Sequence, residues 1–371
     1  MAEEFNVSEF VIPGTFVRVR AEGLIGAGGL STGNIGIVGT AVRTPTPVDY
    51  ATTFNLSDYA TAQAALGPYD AYADGAGKHN LVRALEVAFN NGARTVYARA
   101  LPLGNNDTAP ALADYTAAFN ELVKDNVNIL IAPELSTTDA RSVLGPIVET
   151  SENNGKDLIA VVGSDAATVA AIKAQVTADD RFIVAAPGIR AQDSAAKAEV
   201  VLNGRYSAAA VAGLLSTLAP QSSPTNKQLA GVTKLSQRFA YGEVKDLITG
   251  GVLVLEERLG VRVVRGITTE MAANGPFRQV TTRRIVDLAK AGIRQVSNPF
   301  IGRLNNQRVR KALQGAIDGF LTGMVQDEAL TEYQLAVTAT RDDEINGRAI
   351  VNAVLKPTFS IDFVAVTLVL Q

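Results

Sequence analysis

Short apolar runs alternate with amphipathic stretches through the first two thirds of the chain. Residues 128–132 (Asn-Ile-Leu-Ile-Ala), 158–162 (Leu-Ile-Ala-Val-Val) and 182–186 (Phe-Ile-Val-Ala-Ala) are almost wholly apolar, the pattern of strands buried on both faces. Residues 35–42 and 95–99 read as two further strands. Residues 80–90 set Leu81, Leu85, Ala88 and Phe89 on one face of a helix. Residues 115–123 repeat that pattern, and helices are expected at 138–153 and 166–176. Strands and helices alternating at this spacing predict an α/β fold with a mainly parallel sheet covered on both sides. A short helix is expected at 56–66 with Ser57 as its N-cap, and a long alanine-rich helix at 199–218. Residues 247–255 and 261–265 read as a hairpin-like strand pair.

Near residue 266 the pattern changes to two helices followed by two long strands, an α+β arrangement. The second of these helices, 306–327, places Val309, Leu313, Ala316, Ile317, Phe320, Leu321 and Met324 on one face. The expected division is an N-terminal arm (1–22), an α/β domain (23–265), a smaller α+β domain (266–355) and a C-terminal strand arm (356–371). Both arms have strand character. Residues 359–371 are rich in Val, Ile, Phe and Thr, with no Gly or Pro, and residues 15–20 alternate behind a Pro-Gly turn. An unpaired strand exposes a row of N–H and C=O groups that proteins rarely leave open. The candidate strand-exchange residues are therefore Thr15, Phe16, Val17, Arg18 and Val19 at one end, with Phe359, Ile361, Phe363, Val364, Val366 and Leu368 at the other.

Composition narrows the chemistry. The 371 residues are 47% hydrophobic but only 6% aromatic, and Trp and Cys are absent. Disulfides, thiolate metal sites and cysteine nucleophiles are thereby excluded. The single histidine, His79, lies just before a predicted helix and reads as an exposed loop residue. The net charge of −3 offers no strong field for nucleic acid or anionic lipid. The first residues lack the pattern of a secretory signal, and no apolar run reaches the length of a membrane span. The expectation is a soluble chain made in a cytoplasm, with no membrane insertion and no direct nucleic-acid partner. Glycines 23, 26, 28, 29 and 33 precede a strand, whereas a dinucleotide fingerprint follows one, so they read as a flexible linker and no cofactor is expected. The pairs Asp179-Asp180 and Asp342-Asp343 read as solvated turns. The distinctive charge feature is a basic run, Arg283, Arg284, Lys290, Arg294, Arg303, Arg308, Arg310 and Lys311, with Asp287 as its only acid. Its expected role is docking onto an acidic partner.

Taken in order, several segments resemble the contractile tail sheath proteins of bacteriophages, R-type pyocins and related injection systems. Pro13-Gly14-Thr15-Phe16-Val17 is similar to the family's Pro-Gly-Val-Tyr-Val arm, and Asn34-Ile-Gly-Ile-Val-Gly-Thr-Ala41 to its first domain strand. Ala88-Phe-Asn-Asn-Gly92 with Val96-Tyr-Ala-Arg99, then Ala209-Ala-Val-Ala-Gly213 with Ser223-Pro-Thr-Asn-Lys227, follow in the family's order. Val264-Arg-Gly-Ile-Thr-Thr269 resembles the next block without its Trp and Arg, and Thr282-Arg-Arg-Ile285, Asn298-Pro-Phe-Ile-Gly302 and Lys356-Pro357 complete the set.

The resemblance implies a subtilisin-like outer sheath domain, a tube-facing inner domain, and a structural protein rather than an enzyme. It implies stacked hexameric rings around a tail tube, linked by strand exchange at both termini, in a virion tail or phage-like particle. The implied partners are further copies of the chain, the tail tube protein, and baseplate and tail terminator proteins. Arg283, Arg284, Arg294, Arg303, Arg308, Arg310 and Lys311 are the candidate tube-binding residues. The alternatives are a soluble Rossmann-like enzyme, which needs a cofactor fingerprint at a strand end, and a non-contractile self-assembling protein such as an S-layer subunit.

Overall fold

The computed structural model describes residues 30–42, 46–68, 80–104, 108–272 and 275–369. The predicted N-terminal strand, most of the glycine-rich linker and His79 lie outside the described residues. In chain order the elements are β1 (Ile35–Thr40), β2 (Phe54–Leu56), α1 (Tyr59–Leu66), α2 (Asn80–Asn90), β3 (Val96–Leu101), α3 (Leu112–Leu122), β4 (Ile129–Ile131), α4 (Thr137–Asn153) and β5 (Ile159–Gly163). There follow α5 (Val169–Ala174), β6 (Phe182–Ala186), β7 (Ile189–Asp193), β8 (Ala198–Leu202), α6 (Gly204–Thr217), β9 (Val232–Leu235), α7 (Tyr241–Thr249), β10 (Val252–Glu257) and β11 (Val261–Val263). The last third holds α8 (Val280–Ser297), α9 (Gln307–Gln326), β12 (Leu330–Thr338), α10 (Arg341–Ile345) and β13 (Ile350–Pro357).

Among the described residues one large sheet has the order β11-β10-β6-β5-β4-β1-β3-β2. Its inner neighbours are parallel, and the edge strands β2 and β11 are antiparallel to theirs. The continuous apolar runs are fully buried because both faces are covered. Ile159 and Val161 of β5 point into the core shared with α2 and α6, whereas Ala160 and Val162 point into the core shared with α3 and α4. Such period-2 division of one strand between two cores follows from strand geometry. A small three-stranded sheet, β8-β7-β9, sits beside the large one.

Ala208, Ala209, Ala210 and Ala212 of α6 are buried, and their small side chains let the helix lie close to the sheet. The closest approach is at its start. A Cβ at Gly204 would lie 1.7 Å from Ser164 O, so only glycine fits against that main chain. Gly204→Ala is expected to cost about 3 kcal/mol through overpacking. Urea denaturation of the unassembled chain measures it, and an unchanged midpoint would contradict the close-packing argument.

The inner unit has its own core. Ile285, Ala289 and Val296 of α8 meet Leu313, Ile317, Leu321 and Met324 of α9, on the face the sequence predicted. Asn306 caps α9 by accepting from Val309 N. β12 and β13 form a two-stranded antiparallel sheet whose Tyr333, Leu335, Val337, Val351 and Leu355 pack on the helices. Its other face is exposed, and neither outer edge pairs with a strand among the described residues.

Several expectations are corrected. The cap of α1 is Asp58, whose side chain accepts from Thr61 N, rather than Ser57. Residues 198–202 form β8, so the alanine-rich helix begins only at Gly204. Residues 247–249 end a helix, α7, and the following hairpin is β10 with β11. The strand expected over 359–371 is not formed by residues 359–369 within a single chain: residues 358–369 pair with no described strand.

Candidate assembly surfaces

The basic run falls into an interior part and a surface part. The first turns of α8 are buried against the α/β unit, whose core Val280 joins, so Arg283 and Arg284 lie in the interior rather than on an exposed basic surface. Arg283 donates to Asp180 Oδ2 at 2.8 Å and to Asp287 Oδ1 at 2.7 Å, and its guanidinium lies over Phe277. Arg284 donates to the carbonyls of Leu218 (2.9 Å) and Thr32 (3.2 Å), and burial pushes its guanidinium down to about 10. Arg294 is half-buried and holds Asp157 at 2.7 Å. Arg310 is tied to Glu344 at 3.0 Å and to Asn305.

Arg303, Arg308 and Lys311 are exposed. The side chains of Arg308 and Lys311 make no hydrogen bond or ion pair among the described residues, and that of Arg303 donates only to the carbonyl of Pro299 and lies over the Phe300 ring. Beside them Ile301 and Leu304 stand out from the turn between α8 and α9. That turn is fixed from the other side by Asn305, which donates to Arg348 O at 2.7 Å. Cationic and apolar side chains are therefore offered together on one end of the inner unit.

Sequence reasoning missed the charges that join the two units. Arg181, at the start of β6, bonds Glu152 of α4 (2.6 Å), Asp157 before β5 (2.9 Å) and Asp287 of α8 (3.2 Å). Lys290 reaches Glu152 at 2.9 Å. The hydrogen bond from Arg181 is the main reason the Glu152 carboxyl is held down to about 2. Asp179 and Asp180, read as solvated turns, instead pair with Arg141 (2.7 Å) and Arg283. Asp343, by contrast, caps α10 at an exposed site.

At the carboxyl ends of the parallel strands, where open α/β sheets bind ligands, polar groups satisfy one another. Glu134 accepts from Thr40 N and Oγ1, each at 2.6 Å, and from Tyr115 OH. Burial pushes its carboxyl up. Arg205 bonds Glu134 O and Asp165. One cleft of about 410 Å³ opens at the opposite, amino ends, lined by residues such as Thr32, Asn128, Lys156 and Arg284.

The C-terminal stretch is the most exposed apolar feature described. Ile361, Phe363, Val364, Val366, Leu368 and Val369 all stand in solvent. Residues 364–369 make no hydrogen bond or ion pair among the described residues.

The sequence matches the phage tail sheath protein central domain over residues 109–269 and the phage tail sheath C-terminal domain over residues 272–371. None of the curated proteins matches the chain. The fold is similar to the helical sheath of the anti-feeding prophage in its contracted state, with TM-score 0.72 and 18% identity, covering 96% of this chain and 99% of that one. It is similar to the contracted PVC sheath of an extracellular contractile injection system, with TM-score 0.73 and 17% identity, covering 96% and 97%. The sheath tail protein of Desulfitobacterium hafniense gives TM-score 0.65 and 14% identity, covering 93% and 100%.

Proposed function

The chain belongs to the phage tail sheath protein family, and from that premise we propose that it is the repeating unit of a contractile sleeve. Copies stack as hexameric rings around a rigid tube, and the terminal arms of each copy add strands to sheets of its neighbours. The observation that carries this reading is a pairing of complementary incomplete parts. Residues 364–369 are apolar and pair with no described strand, and the outer edges of the two-stranded β12-β13 sheet pair with none either. A two-stranded sheet is marginal by itself, and strand addition supplies main-chain bonds with little demand on side-chain identity. The N-terminal residues 15–19 are assigned the same role on a second neighbour.

The tube-facing surface is proposed to be Arg303, Arg308 and Lys311, with Ile301 and Leu304 beside them. Charged contacts fix register and yield to subunit movement. Arg283 and Arg284 serve the chain's own interior instead, and Arg294 and Arg310 are held by Asp157 and Glu344. Contraction draws on energy stored at assembly, so the mechanism needs no nucleotide or other cofactor. Baseplate and terminator proteins contact the two ends of the stack, in a virion tail or phage-like particle assembled in the producing bacterium.

Reversing Arg303, Arg308 and Lys311 to Glu together is expected to prevent assembly on the tube while still allowing tube-free polymers. Electron microscopy of particles from cells expressing the variant reads both outcomes. Tails of normal length from that variant would rule out this tube surface. An S-layer-like protein would give flat lattices, and a soluble enzyme would give dispersed globules.

A further inference from the structure

The apolar tail is not loose from its beginning. Asp362 is a buried carboxylate on an exposed stretch: its side chain is 6% exposed, whereas Ile361 and Phe363 on either side are 83% and 78% exposed. Its Oδ2 accepts from Arg265 Nε at 2.7 Å and from Gln279 Nε2 at 3.2 Å. Thr225 Oγ1 stands 3.4 Å from its Oδ1. That hydroxyl already accepts from Gly266 N at 3.0 Å and from Ser223 Oγ at 2.9 Å, so its own proton is left for Asp362. Gln279 also grips the main chain of Ser360, accepting from its N–H at 3.1 Å and donating to its carbonyl at 3.3 Å. A side-chain amide thus takes the place of a strand partner. The Arg265 guanidinium lies 5.1 Å from the Phe363 ring centroid.

These holding residues are themselves fixed. Arg265 follows β11, and Ile267 forms a β-bridge with Gln279 just before α8. The site is therefore built where the large sheet meets the inner unit. Among the described residues the hydrogen bonds of this segment end at Asp362 and the ring contact at Phe363, and the side-chain pattern changes at the same place. In an extended segment alternate residues share a side. On the even side Ser360 and Asp362 are polar, whereas Val364, Val366 and Leu368 are apolar.

We propose that Thr225, Arg265 and Gln279 form a peptide-binding cradle for a Ser-x-Asp-Phe segment, filled in this chain by its own residues 360–363. The cradle is the fixed root of the C-terminal arm, and the part that crosses to a neighbouring copy begins at Val364. The crossing itself rests on the strand-exchange reading above; the cradle does not. A root ordered during folding removes those residues from the entropy lost when subunits join, so the arm reaches its neighbour preorganised.

Hydrogen exchange on the full-length unassembled chain tests this. The Ser360 amide is expected to exchange at least about tenfold more slowly than the amides of 364–369. Asp362→Asn, which keeps the shape and removes the charge, should bring Ser360 close to that faster rate and raise the concentration needed for polymerisation about tenfold. The exchanged pair Arg265→Asp with Asp362→Arg should recover part of the protection. A chain lacking 364–371 separates the two readings. Ser360 protected with polymerisation lost supports both, and Ser360 protected with polymerisation retained supports the cradle but sinks strand exchange. Fast exchange at Ser360 in the full-length chain, or undiminished protection in Asp362→Asn, would overturn the cradle.

Discussion

Removal of residues 359–371 is expected to leave a folded chain that no longer polymerises. None of the described residues after Leu355 belongs to or packs on a hydrophobic core cluster. The loss therefore removes the contacts of Ser360, Asp362 and Phe363 with Gln279 and Arg265 but no core packing, so the urea midpoint should fall modestly while the chain stays folded. Assembly should respond quite differently. Each main-chain bond that an arm makes to a neighbour contributes about 0.5–1.5 kcal/mol net. Ordering each arm residue costs about 1–2 kcal/mol, so the ladder bonds alone do not hold it. The surplus has to come from burying side chains such as Val364, Val366 and Leu368, at about 1.5–3 kcal/mol each. An arm without them cannot hold a subunit in the lattice. Sedimentation and negative-stain microscopy would show soluble monomers. Polymers of unaltered form from the truncated chain would exclude strand exchange at this end.

The parts legible in the sequence were those whose signal is local. β4, β5 and β6 announced themselves as continuous apolar runs because both faces of the sheet are covered. The buried face of α9 followed from helical periodicity. β8 was hidden, since Ala-Glu-Val-Val-Leu fits either period and adjoins an alanine-rich helix. The charge network was hidden for a different reason. Arg181 meets Asp287 across 106 positions of sequence, and nothing near either residue signals the other. Arginine is rarely buried unless paired, so a basic run reads as surface until its partners are located. The i,i+4 spacing of Arg283 and Asp287 was the one local hint of an interior pair. Four of the seven candidate tube-binding residues, Arg283, Arg284, Arg294 and Arg310, are held by partners within the chain on that account. The three exposed members, Arg303, Arg308 and Lys311, lie beyond the turn where α8 leaves the sheet.

Arg181→Met is expected to be the most damaging single substitution at the junction between the two units. The arginine side chain is 4% exposed, and it joins α4, the segment before β5, and α8. Its removal leaves Glu152 with Lys290, Asp157 with Lys290 and Arg294, and Asp287 with Arg283 alone, all partly or wholly desolvated. Breaking a buried ion pair by removing one partner costs about 3–5 kcal/mol, more than Met recovers by filling the space. The pH dependence follows from the carboxylates. The hydrogen bond from Arg181 holds Glu152 well below its usual range, down to about 2. Its stabilising contribution is complete above the ordinary carboxylate range and is lost as pH falls toward 2. Asp157 has the same sign. Burial opposes its ionisation, but the hydrogen bonds from Lys290 and Arg294 outweigh it and keep the carboxyl below its usual value. Asp287 has the opposite sign, because burial raises it and acid relieves the cost of its charge. The wild-type chain should therefore lose stability on acidification largely through Glu152 and Asp157, and the variant has already lost the Arg181 share of the first. Urea midpoints at pH 7 and pH 3 would show the gap between the two proteins narrowing at the lower pH. No gap at pH 7 would mean that Arg181 contributes nothing to holding the two units together, and a gap of equal size at both pH values would mean that its contribution does not run through the charges of these carboxylates.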